Sequence, residues 1–145
     1  MADRIKAINT ALEQAFITGW GATTAIDWPT RPLTVDTQTT AWVRFTNLND
    51  ERRRDTVGSG GDTGQDLFGT VIVQVFTRRT APPHKTPTQL GHVDTISNLF
   101  NETYFSVSTG GQVRCDKPNP RTVGPTPDGV WFQENILIPW HHHIG

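Results

Sequence analysis

Three consecutive histidines, His141-His142-His143, are the side chains of this chain best suited to metal or acid–base chemistry. On an extended backbone neighbouring side chains point to opposite faces, so only His141 and His143 share a side. A closed zinc site takes four ligands. The single cysteine, Cys115, is distant in sequence, and His84 and His92 stand at no metal-ligand spacing. The run reads as a polar strand end or fraying terminus; the alternative is a small metal-dependent enzyme using His141, His143 and a further ligand. Cys115 lies beside Arg114 and Lys117, cations that lower a thiol pKa, but no base accompanies it. Gly58-Ser59-Gly60-Gly61 lacks the lysine and following Ser/Thr of a phosphate-binding loop. Asp50-Glu51 has no apolar surroundings to raise a carboxyl pKa. The sequence therefore assigns no catalytic residue, no cofactor site and no metal site.

Arg52-Arg53-Arg54 has two functional readings, a phosphate-binding patch or a set of ion pairs to carboxylates on a neighbouring molecule. Asp50, Glu51 and Asp55 flank the triplet and neutralise much of its charge, which disfavours the first. A solvated charge run is the third reading. The triplet lies in the segment Asn47–Asp66, which contains Val57 and the glycines Gly58, Gly60, Gly61 and Gly64. That is far longer than a hairpin turn needs. Such a segment cannot bury enough apolar surface to offset its ordering entropy. It reads as a flexible arm that orders against another copy or a partner. Arg52, Arg53, Arg54, Val57, Gly58, Gly60, Gly61 and Gly64 are its candidate interface residues. Trp140 joins them, because a tryptophan near a sheet edge can anchor an interface.

The elements around the arm follow from periodicity. Asp3 to about Thr18 is predicted as an amphipathic helix capped by Asp3. Ile5, Ile8, Leu12, Ala15 and Phe16 form its inner face, Arg4, Lys6, Glu13 and Gln14 its outer face, and Gly19 its stop. Ala25–Trp28 is extended up to Pro29, and Arg31–Thr39 is irregular. Ala41–Thr46 is a strand with Ala41, Val43 and Phe45 on one face. Leu67–Thr77 is apolar on both faces and so central in its sheet. It pairs antiparallel with Ala41–Thr46, which makes the arm a hairpin tip.

Thr86-Pro87-Thr88-Gln89 is a capping box with proline at the first helical position. Leu90, Val93, Ile96, Leu99 and Phe100 follow at helical spacing, and Gly91 lets that helix approach the sheet. Tyr104–Ser108 and Gln112–Cys115 form a second hairpin around Gly110-Gly111. Lys117–Gly129 is a Pro/Gly loop. Val130 to about Trp140 is a last strand whose Pro139 belongs at a sheet edge. Most of the five tryptophans are expected to pack in the core. The expected architecture is a single α+β two-layer domain over residues 1–145: a mainly antiparallel or mixed sheet covered on one face by two helices, with a long hairpin arm.

The bulk numbers agree. A chain of 145 residues buries about 68–70% of its extended surface and holds a core without staples. One cysteine permits no intrachain disulfide, and a reducing compartment fits. A formal charge of −1 argues against a general nucleic-acid or membrane binder. No apolar run is long enough to span a membrane, and the N-terminal segment is not a secretory signal.

The order of elements resembles the tail terminator (tail completion) proteins of long-tailed bacteriophages and gene transfer agents, the lambda-like group included. The matching features are the helix Ile5–Phe16, Ile26-Asp27-Trp28, Trp42-Val43, the arm Gly58–Gly64, Val71–Phe76 and the helix Leu90–Phe100. Gly129-Val130-Trp131-Phe132-Gln133 running into Ile136-Leu137-Ile138-Pro139-Trp140 completes them. The arginine triplet and His141–Gly145 lie outside the pattern. The resemblance implies a non-enzymatic virion protein, assembled in the host bacterial cytoplasm. It would form a homohexameric ring that caps the head-proximal end of the tail tube and stops polymerisation. Its partners would be sister subunits, the tail tube protein and the head–tail connector or stopper, with genome DNA passing through the lumen unbound. Another neck component or a tail-tube subunit is the alternative within the same class. A nucleic-acid binder acting through Arg52–Arg54 is a further one.

Overall fold

Every fourth residue of the first helix points inward. Helix α1 (Arg4–Trp20) buries Arg4, Ile8, Leu12, Phe16 and Trp20 along one row, with Ala7 beside it. The computed structural model describes residues 4–21, 23–29, 33, 41–54, 65–79 and 87–143. The expected cap Asp3 lies outside them, as do the stretch 34–40 and Thr86. The inner face is rotated from the expected one: Ile5 is 39% exposed and Arg4 is 1% exposed. The rotation follows from partners that Arg4 finds on the last strand, described below. Gly19 does not stop the helix. A Cβ there would run into the Leu99 side chain, so this glycine sets the close approach of the two helices. The helix ends instead at Gly21, whose φ of 59° and N–H bond to the Ile17 carbonyl (2.8 Å) form a left-handed C-terminal cap.

The remaining elements are β1 (Ala25–Asp27), β2 (Ala41–Arg54), β3 (Gln65–Arg78), α2 (Pro87–Phe100), β4 (Tyr104–Ser106), β5 (Gln112–Cys115), β6 (Asn119–Pro125) and β7 (Trp131–His143). The sheet runs β1-β2-β3-β7-β5-β4, with β6 also paired to β7. β1 is parallel to β2 and all other pairs are antiparallel, so the fold is α+β with a mixed sheet. The core lies between the helices and one sheet face, where Val43, Phe45, Val71, Val73, Val75, Ile136, Ile138 and Trp140 meet Leu12, Phe16, Ile96 and Phe100. β3 is central, as its two apolar faces require.

Four expectations need correction. The hairpin ladder does not stop at Thr46. It continues through a register shift between Asn49 and Glu51 to Arg54, and resumes at Gln65. Only the tip, 55–64, lies outside the described residues. The Pro/Gly stretch 117–129 is not all loop: β6 pairs with β7 from Asn119 to Pro125, and its prolines are tolerated because β7 is the one strand that pairs with it among the described residues. Pro139 is not at an edge, since β7 pairs with β3 along its whole length. The Pro139 carbonyl accepts the Asp116 N–H at 2.8 Å. The proline nitrogen therefore faces the gap where the chain passes from β5 to β6, and no ladder bond is lost. Finally, Gly91 meets nothing within 4 Å and Leu90 is 45% exposed. That side of α2 faces solvent, while Val93, Ile96 and Phe100 pack inward.

Candidate functional site

The residues that the sequence offers for chemistry are mostly taken up by the fold. His142 is fully buried, because the alternation of β7 carries on past Trp140 and turns it toward the helices. Arg4 Nε–H donates to His142 Nδ1 at 2.9 Å, and Arg4 Nη2 donates to the His142 carbonyl at 3.0 Å. An accepting Nδ1 leaves the ring proton on Nε2, which donates to the Gly110 carbonyl at 2.9 Å. The run ends β7, and within it His142 clamps α1 and the β4–β5 turn onto that strand. His141 sits against Phe68 on the opposite face, with ring centroids 5.9 Å apart. The side chain of His143, and His84 altogether, lie outside the described residues. His92 packs edge-on against Trp20, and burial lowers its pKa. Among the described residues no three His, Cys, Asp or Glu side chains are grouped to hold a metal ion.

Cys115 is also buried. Burial, aided by the neighbouring Asp116 charge, pushes its thiol up to about 12, the reverse of the shift expected from Arg114 and Lys117. A thiol of that pKa is only about one part in ten thousand ionised at pH 8. Native protein should therefore react with a thiol-specific reagent at least about a thousandfold more slowly than unfolded protein, followed as absorbance released against time. Equal rates would show that the thiol is open to solvent.

Trp140 is 1% exposed and offers no surface to a partner. Its indole fills the space left by Gly69, where an added Cβ would strike the ring and the Leu48 carbonyl. Its Nε1–H donates to Asn47 Oδ1 at 2.8 Å. Asn47 Nδ2 in turn donates to Asn9 Oδ1 at 3.0 Å, which ties β7, β2 and α1 together. The backbone of Arg52, Arg53 and Arg54 completes β2 opposite Leu67, Asp66 and Gln65. Their side chains, and all of Val57, Gly58, Gly60, Gly61 and Gly64, lie outside the described residues.

The features left for function are on the sheet face away from the helices. Trp42 stacks on Phe76 at 4.1 Å and meets Trp131 edge-on at 6.2 Å, forming a second, smaller cluster with Leu33 and Val130. Arg44 lies 5.3 Å from the Trp42 ring centre, and Arg78 lies 4.5 Å from that of Trp131. Arg44 Nε also pairs with Asp27 Oδ2 at 2.8 Å. Burial pushes the Asp27 carboxyl upward, but the Arg44 guanidinium and the Leu33 N–H more than offset this and hold it below its ordinary value. Beside the pair is a cavity of about 350 Å³ lined by Asp27, Trp28, Pro29, Arg44 and Thr46. Sequence reasoning missed Arg44 and Asp27 because the pairing of β1 with β2 that joins them is parallel and non-local. The alternation of Trp42 and Arg44 against Val43 and Phe45 was the available signal.

No family model matches the chain, and no curated protein does. Among solved structures, a protein whose name states no function superposes with a TM-score of 0.73 over 97% of this chain and 96% of its own, at 14% identity. The likeness extends over the whole domain and shows the α+β fold alone.

Proposed function

We propose that this chain is a non-enzymatic assembly subunit of the phage tail-terminator type. It forms a ring that caps the tail tube at its head-proximal end in the virion. The observation that supports this most is the β2–β3 hairpin. β1 accompanies β2 only as far as Arg44, yet β2 runs on to Arg54, a further reach of about 30 Å at ~3.3 Å per residue. β3 is backed by β7 up to Asp66, so the lever onto a neighbouring subunit is the outer side of β2 beyond Arg44, which no described strand covers. In a closed ring every copy supplies both the lever and the surface it rests on. The burial of Cys115 and His142 is in keeping with a structural role, as is the order of elements described from the sequence. Among the described residues no helix is long and apolar enough to cross a membrane.

Deleting Val57–Gly64 should leave a folded domain with an unchanged circular dichroism spectrum. Ring formation, read as mass in solution, and capping, read as tail length in electron micrographs, should be lost. Normal rings and tails of uniform length from the deletion variant would sink the proposal.

A further inference from the structure

We propose that the cavity beside the Asp27–Arg44 pair binds a carboxylate carried on a short apolar stem. The open end of the Arg44 guanidinium and the Thr46 hydroxyl hold it. The site is complete within one copy, so it stands apart from the ring reading.

Arg44 is fixed before any ligand arrives. Its guanidinium lies 5.3 Å from the Trp42 ring centre and 5.6 Å from that of Phe76. A guanidinium carries five N–H donors. Nε–H bonds Asp27 Oδ2 at 2.8 Å, and an Nη1–H bonds Gln74 Oε1 at 3.3 Å. Among the described residues nothing accepts from Nη2, and the side chain is 42% exposed. An arginine held in this way presents its outer end as a rigid fork, and little freedom is lost when an acceptor docks on it. Thr46 is two residues on along β2 and, by alternation, on the same face. It lines the cavity with Arg44 and adds a hydroxyl. Trp28 and Pro29 supply the apolar lining. Trp28 is itself held by Phe45 and Phe16, at ring-centre distances of 5.4 Å and 6.4 Å.

These groups decide what the cavity takes. Both Asp27 oxygens already accept a bond, Oδ1 from the Leu33 N–H at 2.9 Å and Oδ2 from Arg44. A cation therefore finds no unclaimed carboxylate. An anion finds a fork whose parallel N–H groups match the two oxygens of a carboxylate. Arg44 and Asp27 together carry no net charge. That suits a monoanion better than a nucleic-acid backbone, whose attraction grows with excess positive charge. The volume of about 350 Å³ falls in the range of small-ligand sites, and the Trp28 and Pro29 lining suits a stem of a few carbons. An organic acid in solution and an acidic side chain of a neighbouring copy present the same group.

The test is an NMR titration of the nitrogen-15-labelled full chain with sodium butyrate, with butyramide as the neutral isostere and sodium chloride as the ionic control. The Arg44 Nε–H, the Thr46 amide and the Trp28 indole N–H should shift and reach half-saturation at about 1–10 mM butyrate. The Trp140 indole, inside the core, should not move. Thr46→Val should weaken binding about fivefold, the loss of one hydrogen bond, with an unchanged melting temperature. Arg44→Lys should weaken it at least about tenfold, because an ammonium offers no fork. Equal shifts with butyramide, a drift that sodium chloride reproduces, or parent-like titration of both variants would overturn the site. Mass in solution separates the two sources. Rings that fall to monomers in saturating butyrate, but not in butyramide, place a sister subunit's carboxylate in the cavity; a mass unchanged by either assigns the cavity to a free organic acid.

Discussion

Trp140→Ala should lower the stability of the domain by about 3–5 kcal/mol, the range for emptying a large aromatic site in a core. Against a total of about 5–15 kcal/mol this brings the protein close to unfolding at ambient temperature. The size of the effect comes from three features acting at one place. The ring is 1% exposed. It occupies the recess above Gly69, the one position on the central strand where an added Cβ would collide with it. Its N–H is the donor for Asn47 Oδ1, so truncation also leaves a polar atom without that partner, at about 1–3 kcal/mol. Trp140→Phe keeps part of the ring but loses the donor together with indole volume over Gly69, so an intermediate cost is expected. Urea titration gives both values. The midpoint should fall with an unchanged slope if the native state stays compact. A Trp140→Ala variant within 1 kcal/mol of the parent would remove Trp140 from the core, contrary to its geometry.

Arg4→Met should cost about 2–4 kcal/mol. The methionine keeps the aliphatic stem and removes the guanidinium, so His142 Nδ1 and the His142 carbonyl lose their donors in a site closed to water. Arg4→Lys is expected to rescue little, since an ammonium cannot serve two acceptors with the fixed fork of a guanidinium. Hydrogen exchange localises the loss: amides in the first turn of α1 and around Gly110 should exchange faster, while those of β3 should follow global stability alone. A variant within ~0.5 kcal/mol of the parent with unchanged exchange in α1 would refute the clamp.

The same residue shows where sequence reading stops. A charged side chain at a helix start reads as solvent-facing, and the period alone does not say otherwise. Arg4 is inside because its acceptors are 138 positions away, a pairing that no local pattern contains. Strong local patterns did transfer. The alternation Val71, Val73, Val75 locates the central strand, and Val93, Ile96, Phe100 locate the inner face of α2. β6 was hidden because Pro, Gly and exposed polar residues read as loop whether or not a neighbouring strand pairs with them. Pro139 misled for a related reason: the rule that sends proline to edges concerns its missing N–H, and here that nitrogen faces a break between two strands. His142 was within reach, since Ile136, Ile138 and Trp140 already set the phase that turns it inward.

The position of β7 bears on how the protein is made. This strand follows every other in chain order, yet it fills the middle of the sheet, pairing with β3 between residues more than fifty positions apart. During synthesis the hairpin of β2 and β3 emerges long before the strand that must lie against it. A nascent chain therefore carries β3 with a bare apolar border until translation has passed Trp131. Long-range closure of this kind is slow and exposes the intermediate to aggregation. Chains released before β7 should collect in the insoluble fraction, and the yield of soluble subunit should respond to chaperone supply.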